Sequence, residues 1–195
     1  LQMRGNLVEA EHLYRLGIQH KSKNVDAMNN LGTILDAKGD VEGARRLFEE
    51  VLQADPRNVL AHNNLGYLLG RHGQYDAAAR HLAESIRLKP DFAVSRSNLA
   101  NVYLLQKRYQ EAALEYLQAL EHDPAMSKAY PSLASALRQI TDYTALQRRP
   151  NWPGISNDLA WAFATSPDAN VRDGAAAVRL AESACAVTEG RNAYY

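Results

Sequence analysis

The sequence predicts an all-α fold, an α-solenoid of stacked helix-turn-helix repeats. Three observations carry that prediction. First, Asn30-Leu31-Gly32 returns as Asn64-Leu65-Gly66 and as Asn98-Leu99-Ala100. Ala44 returns as Ala78 and Ala112, and Pro56 as Pro90 and Pro124, each time 34 residues on. Second, apolar and small residues within each period recur at spacings of three and four on both sides of a break, as in two amphipathic helices. Third, the breaks carry helix-ending chemistry. Such units cannot bury their apolar faces singly and must stack.

Counting Val25 as position 1, the core positions are 7, 8, 11, 20, 24 and 27. In 25–58 they hold Leu31, Gly32, Leu35, Ala44, Phe48 and Val51; in 59–92, Leu65, Gly66, Leu69, Ala78, Leu82 and Ser85. In 93–126 they hold Leu99, Ala100, Tyr103, Ala112, Tyr116 and Ala119. The breaks are Gly39-Asp40, Gly73-Gln74 and Lys107-Arg108. Glycine just past a helix supplies a left-handed cap. Asp55-Pro56, Lys89-Pro90 and Asp123-Pro124 end the second helices, which proline cannot continue. The small residues at positions 8 and 20 let two helix backbones approach. All of 1–195 reads as one solenoid domain belonging to a larger protein. Its partial first unit, 1–24, has its turn at Gly5-Asn6.

The fourth unit, 127–152, starts in phase with Tyr130, Leu133, Ala134 and Leu137, then falls eight residues short near Gln139–Asp142. Two explanations stand. Either the two helices fuse into one over Lys128–Arg149, or a segment is missing from the sequence. The fifth unit, 153–192, restores the phase with Leu159, Ala160 and Phe163. Its turn, "SPDANVRDG", is about five residues longer than the others. Ala177, Ala181 and Ala184 face the core of a closing helix that ends near Thr188. The final "RNAYY" reads as the start of another first helix.

These positions resemble the tetratricopeptide repeat family, whose pattern is Trp-x2-Leu-Gly-x2-Tyr, then Ala-x3-Phe, then Pro. Leu31-Gly32, Ala44, Phe48 and Pro56 match it; so do Leu65-Gly66, Ala78 and Pro90, and Leu99, Tyr103, Ala112 and Pro124. Met28, His62 and Arg96 stand where the pattern has Trp. The stretch Asn157–Gly190 resembles a unit of bacterial multi-repeat proteins. The resemblance implies a right-handed superhelix with the first helices lining its inner wall. It also implies a non-catalytic scaffold for protein or peptide partners.

Composition narrows the alternatives. Lys+Arg and Asp+Glu both number 22, which argues against an electrostatic grip on nucleic acid or on an anionic membrane. No apolar run approaches a membrane span, and the compartment is left open. Cys185, the single cysteine, sits among alanines and reads as a small buried hydrophobe. No phosphate loop, Cys-x-x-Cys pair or His-Glu-x-x-His helix is present, and the six histidines fall at unrelated positions. No catalytic residue, metal or cofactor is expected. His62 reads as a half-buried packing residue.

The informative surface is the first-helix face opposite the packing seam, positions 2, 5, 6, 9, 12 and 13. Position 6 holds Asn30, Asn64, Asn98, Ser132 and Asp158; position 5 begins with Asn29 and Asn63. Asparagine amides donate and accept, so a column of them can hold the backbone of an extended peptide. Position 9 adds Tyr67, Asn101 and Trp161, with the aromatics either anchoring a ligand or packing on the next helix. The column is similar to the asparagine ladder in the repeat domain of O-linked N-acetylglucosamine transferases, and equally it fits helices that merely solvate themselves. A carboxylate clamp is disfavoured, because Asn29, Thr33, Val94 and Asn98 stand where it needs other residues. The expected function is a scaffold binding an extended peptide or partner segment. The alternatives are a substrate-recruiting arm of an enzyme such as a glycosyltransferase, and a scaffold that self-associates through its end helices.

Overall fold

A computed structural model of the chain describes residues 2–20, 24–126, 129–165 and 172–192. The described residues form helices and turns only. In order these are α1 (Gln2–His20), α2 (Val25–Lys38), α3 (Val41–Ala54), α4 (Val59–Arg71), α5 (Tyr75–Leu88) and α6 (Ala93–Leu105). There follow α7 (Tyr109–His122), α8 (Ala129–Arg138), α9 (Thr144–Gln147), α10 (Trp152–Thr165) and α11 (Gly174–Asn192). The chain divides into two compact units, Leu1–Val102 and Tyr103–Tyr195. Among the described residues, no helix is long and apolar enough to cross a membrane.

In the first unit each helix packs on its chain neighbour from α1 to α5, and α2 also meets α4. The seam is built as the period requires. A Cβ on Gly32 would stand 2.6 Å from Phe48 Cε1, and one on Gly66 would stand 2.6 Å from Leu82 Cγ and 3.1 Å from the Ala78 carbonyl oxygen. Position 8 therefore has to be small where position 24 is large. Ala44, Phe48, Val51, Leu65, Ala78 and Leu82 are fully or almost fully buried. Asn24, Asp40 and Asn58 cap α2, α3 and α4 by accepting from the backbone N–H three residues on, at 3.1, 2.9 and 2.9 Å.

The turns between paired helices are left-handed at Gly39 (φ 87°), Gly73 (φ 76°) and Lys107 (φ 60°). Only the third places a side chain there, at a steric cost glycine avoids. Lys107→Gly should raise stability by about 0.5–1 kcal/mol, the left-handed strain of a side chain less the entropy that glycine adds to the unfolded chain, seen as a higher urea midpoint with an unchanged slope. An unchanged or lower midpoint would contradict this account.

Two expected turns differ. α1 runs unbroken through Gly5 and Asn6. A glycine costs a helix interior only about 1 kcal/mol, and α1 is held elsewhere. Glu11, buried against α2, accepts from Lys38 Nζ at 2.5 Å and from Arg15 at 2.6 Å. The Lys38 hydrogen bond holds the Glu11 carboxyl below its ordinary range, against the opposing effect of burial. The fused helix over Lys128–Arg149 does not form either. α8 stops at Arg138, and the second helix of that pair shrinks to the single turn α9.

The residues present close this short unit themselves. Asp142 Oδ1 accepts from the Thr144 backbone N–H at 2.9 Å and from its hydroxyl at 2.6 Å, making an Asx turn. Tyr143 folds back so that its hydroxyl donates to the Leu137 carbonyl at 3.2 Å. Trp152 anchors the core of this short unit. It is fully buried, packs beside the Tyr143 ring at 5.5 Å between centroids, and donates from Nε1 to Ser183 Oγ at 3.0 Å. Arg149 pairs with Glu121, and Asn151 Nδ2 donates to the Leu117 carbonyl at 2.9 Å, so both tie the segment to α7.

In the last pair α10 packs on α11. Most of the long turn expected between them lies outside the described residues. Asp173 caps α11 by accepting from the Ala176 N–H at 2.9 Å. α11 extends to Asn192, past the expected end, and the rest of "RNAYY" also lies outside the described residues. Cys185 is exposed and not buried. The buried face of α11 runs through Ala176, Ala177, Leu180, Ser183 and Ala184, and one further residue turns the side chain to solvent.

Candidate functional site

The first helices of the first unit each present an outward stripe at i, i+4, i+7 and i+11. On α4 it is Leu60, Asn64, Tyr67 and Arg71; on α2 it is Asp26, Asn30, Thr33 and Ala37; on the part of α6 within this unit it is Val94, Asn98 and Asn101. Helical geometry alone puts these residues on one face. Leu60, Tyr67 and Val94 are between 43% and 49% exposed, while Asn64 and Asn98 are half-buried between them. Arg71 lies 5.6 Å from the Tyr67 ring centroid and pairs with Asp36 of α2 at 2.9 Å. The surface is therefore an apolar and amide face in which Arg71 is paired, with the exposed carboxylate of Asp26 at its α2 end. Leu60 and Val94 recur at position 2 of successive units, and their exposure adds them to the contacts that the asparagine column suggests.

The paired asparagines at positions 5 and 6 separate. Asn30 is exposed and its side chain makes no hydrogen bond among the described residues, whereas Asn29 and Asn63 are only 3% and 6% exposed. One residue along a helix is a 100° turn, which carries position 5 into the seam between successive first helices. Asn29 Nδ2 donates at 3.2 Å to Asn58 Oδ1, the oxygen that caps α4, and among the described residues Asn29 Oδ1 has no partner.

Asn63 is the centre of a polar chain. One end of its amide lies 3.0 Å from Ser95 Oγ and 3.0 Å from the Asn98 amide, and the other end lies 3.1 Å from the Asn64 amide. Ser95 Oγ continues to Ser85 Oγ at 2.7 Å, and Ser85 donates to the Val59 carbonyl at 3.0 Å. Ser85 and Ser95 are fully buried.

The other expected site residues lie in the second unit. Ser132 is half-buried and hydrogen-bonded to the buried Tyr116 hydroxyl, whose pKa burial raises. Asp158 and Trp161 line an open apolar groove of about 680 Å³ with Ala164, Val178 and Ala181. Trp161 is 72% exposed, so it does not pack into the helix seam.

A contact between histidines was not expected. His62 Nδ1 lies 3.0 Å from His81 Nδ1, and His62 Nε2 lies 3.2 Å from the Pro56 carbonyl. Spaced 19 residues apart on α4 and α5, they leave no motif in the sequence. Among the described residues no group of three or more His, Cys, Asp or Glu is placed to hold a metal. Burial lowers the His81 pKa, and the His62 and Arg80 charges lower it further. The folded pKa thus lies below the unfolded one, so this contribution to stability is complete above pH 6.5 and lost as pH falls through the His81 value. The melting temperature should drop by a few degrees between neutral and mildly acidic pH, and His81→Gln should flatten the profile. An equally steep profile in that variant would show that other groups are responsible.

The comparisons with known proteins agree with the fold. A family model described as tetratricopeptide repeat matches residues 4–59, 29–91 and 63–134. No curated protein matches the sequence. Among solved structures, a crystal structure of MamA is similar at a TM-score of 0.62 and 19% identity, over 100% of this chain and 95% of that one. MamA residues 41 to the end from Desulfovibrio magneticus RS-1 is similar at a TM-score of 0.60 and 21% identity, over 77% and 90%. A mutant O-GlcNAc transferase from Thermobaculum terrenum is similar at a TM-score of 0.58 and 29% identity, over 71% of this chain but 26% of that one.

Proposed function

The chain belongs to the tetratricopeptide repeat family, a family of protein-interaction scaffolds, and from that premise we propose that it holds an extended peptide along the outward stripes of α2, α4 and α6. The observation that carries this reading is the placement of Asn64 and Asn98. They are half-buried and flanked by exposed Leu60, Tyr67 and Val94. Amides in such a setting bind a peptide backbone, and the apolar neighbours shield those bonds from water. Asn30 and Asn101 extend the surface on either side. Asn29 and Asn63 support it from within the seam and do not touch the ligand.

The test is a titration of the ¹⁵N-labelled protein with a pool of capped, unstructured octapeptides. The side-chain amide signals of Asn64 and Asn98 should move first. Shifts confined to other surfaces would overturn the proposal. The likeness to the O-GlcNAc transferase favours a narrower form of the same reading, in which the bound peptide is delivered to a catalytic domain elsewhere.

A further inference from the structure

The chain Val59–Ser85–Ser95–Asn63 fixes more than packing. The oxygen and nitrogen of a side-chain amide are told apart by their partners. Here the partners can be counted in protons. Three contacts run along the chain, and the two hydroxyls bring only two protons. The Val59 carbonyl can only accept, so the Ser85 proton serves the 3.0 Å contact to it. The 2.7 Å contact between Ser85 and Ser95 must then use the Ser95 proton. That leaves none for the 3.0 Å contact between Ser95 Oγ and Asn63. Asn63 has to donate there, since two buried acceptors 3.0 Å apart would each lose a hydrogen bond.

We infer that Asn63 is a positioning residue, turned with its NH₂ toward Ser95 and Asn98 and its carbonyl toward Asn64, and that it thereby polarises the amide ladder. This rests on the peptide-binding reading above only for its functional meaning. The two N–H groups of Asn63 donate to Ser95 Oγ and to the Asn98 carbonyl, and its own carbonyl accepts from the Asn64 NH₂. Every member of the chain is then satisfied. Asn98 consequently presents its NH₂ to the open face. Asn64 presents its carbonyl together with its second N–H. An extended peptide carries its own N–H and C=O groups in a fixed order along the chain. The ladder therefore offers donors alone at Asn98 on α6 and both an acceptor and a donor at Asn64 on α4, so its two rungs are not equivalent toward that backbone.

The experiment needs no ligand, so its failure is separate from failure of the peptide reading. In a ¹⁵N-edited NOESY spectrum of the full chain, the Asn63 side-chain amide protons should show cross-peaks to the Ser95 side chain. Cross-peaks to Asn64 in their place would overturn the inference. Ser85→Ala removes one link and releases the Ser95 proton to serve Asn63. Alanine occupies the same repeat position at Ala119, where it is fully buried, so the fold should persist. In that variant both amide orientations become allowed, and the Ser95 cross-peaks should weaken as a second Asn63 signal or exchange broadening appears. A folded Ser85→Ala protein with unchanged cross-peaks would show that the hydroxyl chain does not set the orientation.

Discussion

Trp152→Ala is expected to melt the unit Tyr103–Tyr195 far below its normal temperature while leaving Leu1–Val102 folded. Trp152 is fully buried, against the Tyr143 ring and the Ser183 hydroxyl, in a unit whose second helix is a single turn. Truncating a buried Trp costs about 3–5 kcal/mol in lost burial and residual cavity. A domain of this size has only about 5–15 kcal/mol in hand. The fall in melting temperature should be on the order of 10–30 °C. The Ser183 hydroxyl keeps the Gln147 hydrogen bond at 3.0 Å, so the loss is chiefly one of volume. Fluorescence reports it directly, because Trp161, the other tryptophan, is 72% exposed. Removing the buried emitter should shift the folded-state spectrum to the red. Thermal melts should show two transitions, with only one displaced. A variant that melts within about 3 °C of the parent would mean that the short unit does not depend on this side chain.

The regular units were legible in the sequence because each residue there has one mechanical task. Gly32 must be small, since Phe48 occupies the space a Cβ would need. Gly39 must tolerate a left-handed turn, and Pro56 must stop a helix. Such tasks recur with the period, so the period exposes them. The short unit has no copy to be compared with. The glycine of its turn is replaced by an Asx turn at Asp142 and a folded-back Tyr143, and its core is anchored by a tryptophan from the next segment. A tertiary substitution of this kind leaves no local signal, which is why the sequence alone leaves a fused helix and a missing segment both open.

The site was legible in outline and not in its division of labour. The period places Asn63 and Asn64 together, and both repeat. Only the packing of successive first helices decides which of two adjacent positions enters the seam. The hydroxyl chain behind Asn63 joins residues of α4, α5 and α6, so no spacing along the chain reveals it. Leu60 and Val94 stand at position 2, on the face that the spacing predicts, but a lone apolar side chain there carries no chemical signal of its own in the sequence.

Asn64→Ala combined with Asn98→Ala should weaken an octapeptide captured from the pool by roughly thirtyfold. Each rung contributes one neutral hydrogen-bond set, worth about 1 kcal/mol net. Two rungs give about 2 kcal/mol, and about 1.4 kcal/mol is tenfold in Kd. Both side chains are half-buried, and water can replace them at the Asn63 amide. The cost to stability should therefore stay below about 1 kcal/mol, which a urea melt checks before any affinity is compared. The rungs are uncharged, and Arg71 is already paired with Asp36. Raising the salt from about 0.05 to 0.5 M should accordingly move Kd by less than about threefold. The two measurements together separate this mode from an electrostatic one. A folded double variant that keeps the parental Kd would exclude the ladder. A Kd that collapses with salt while ignoring the two asparagines would move the binding site to the charged rims of the helices.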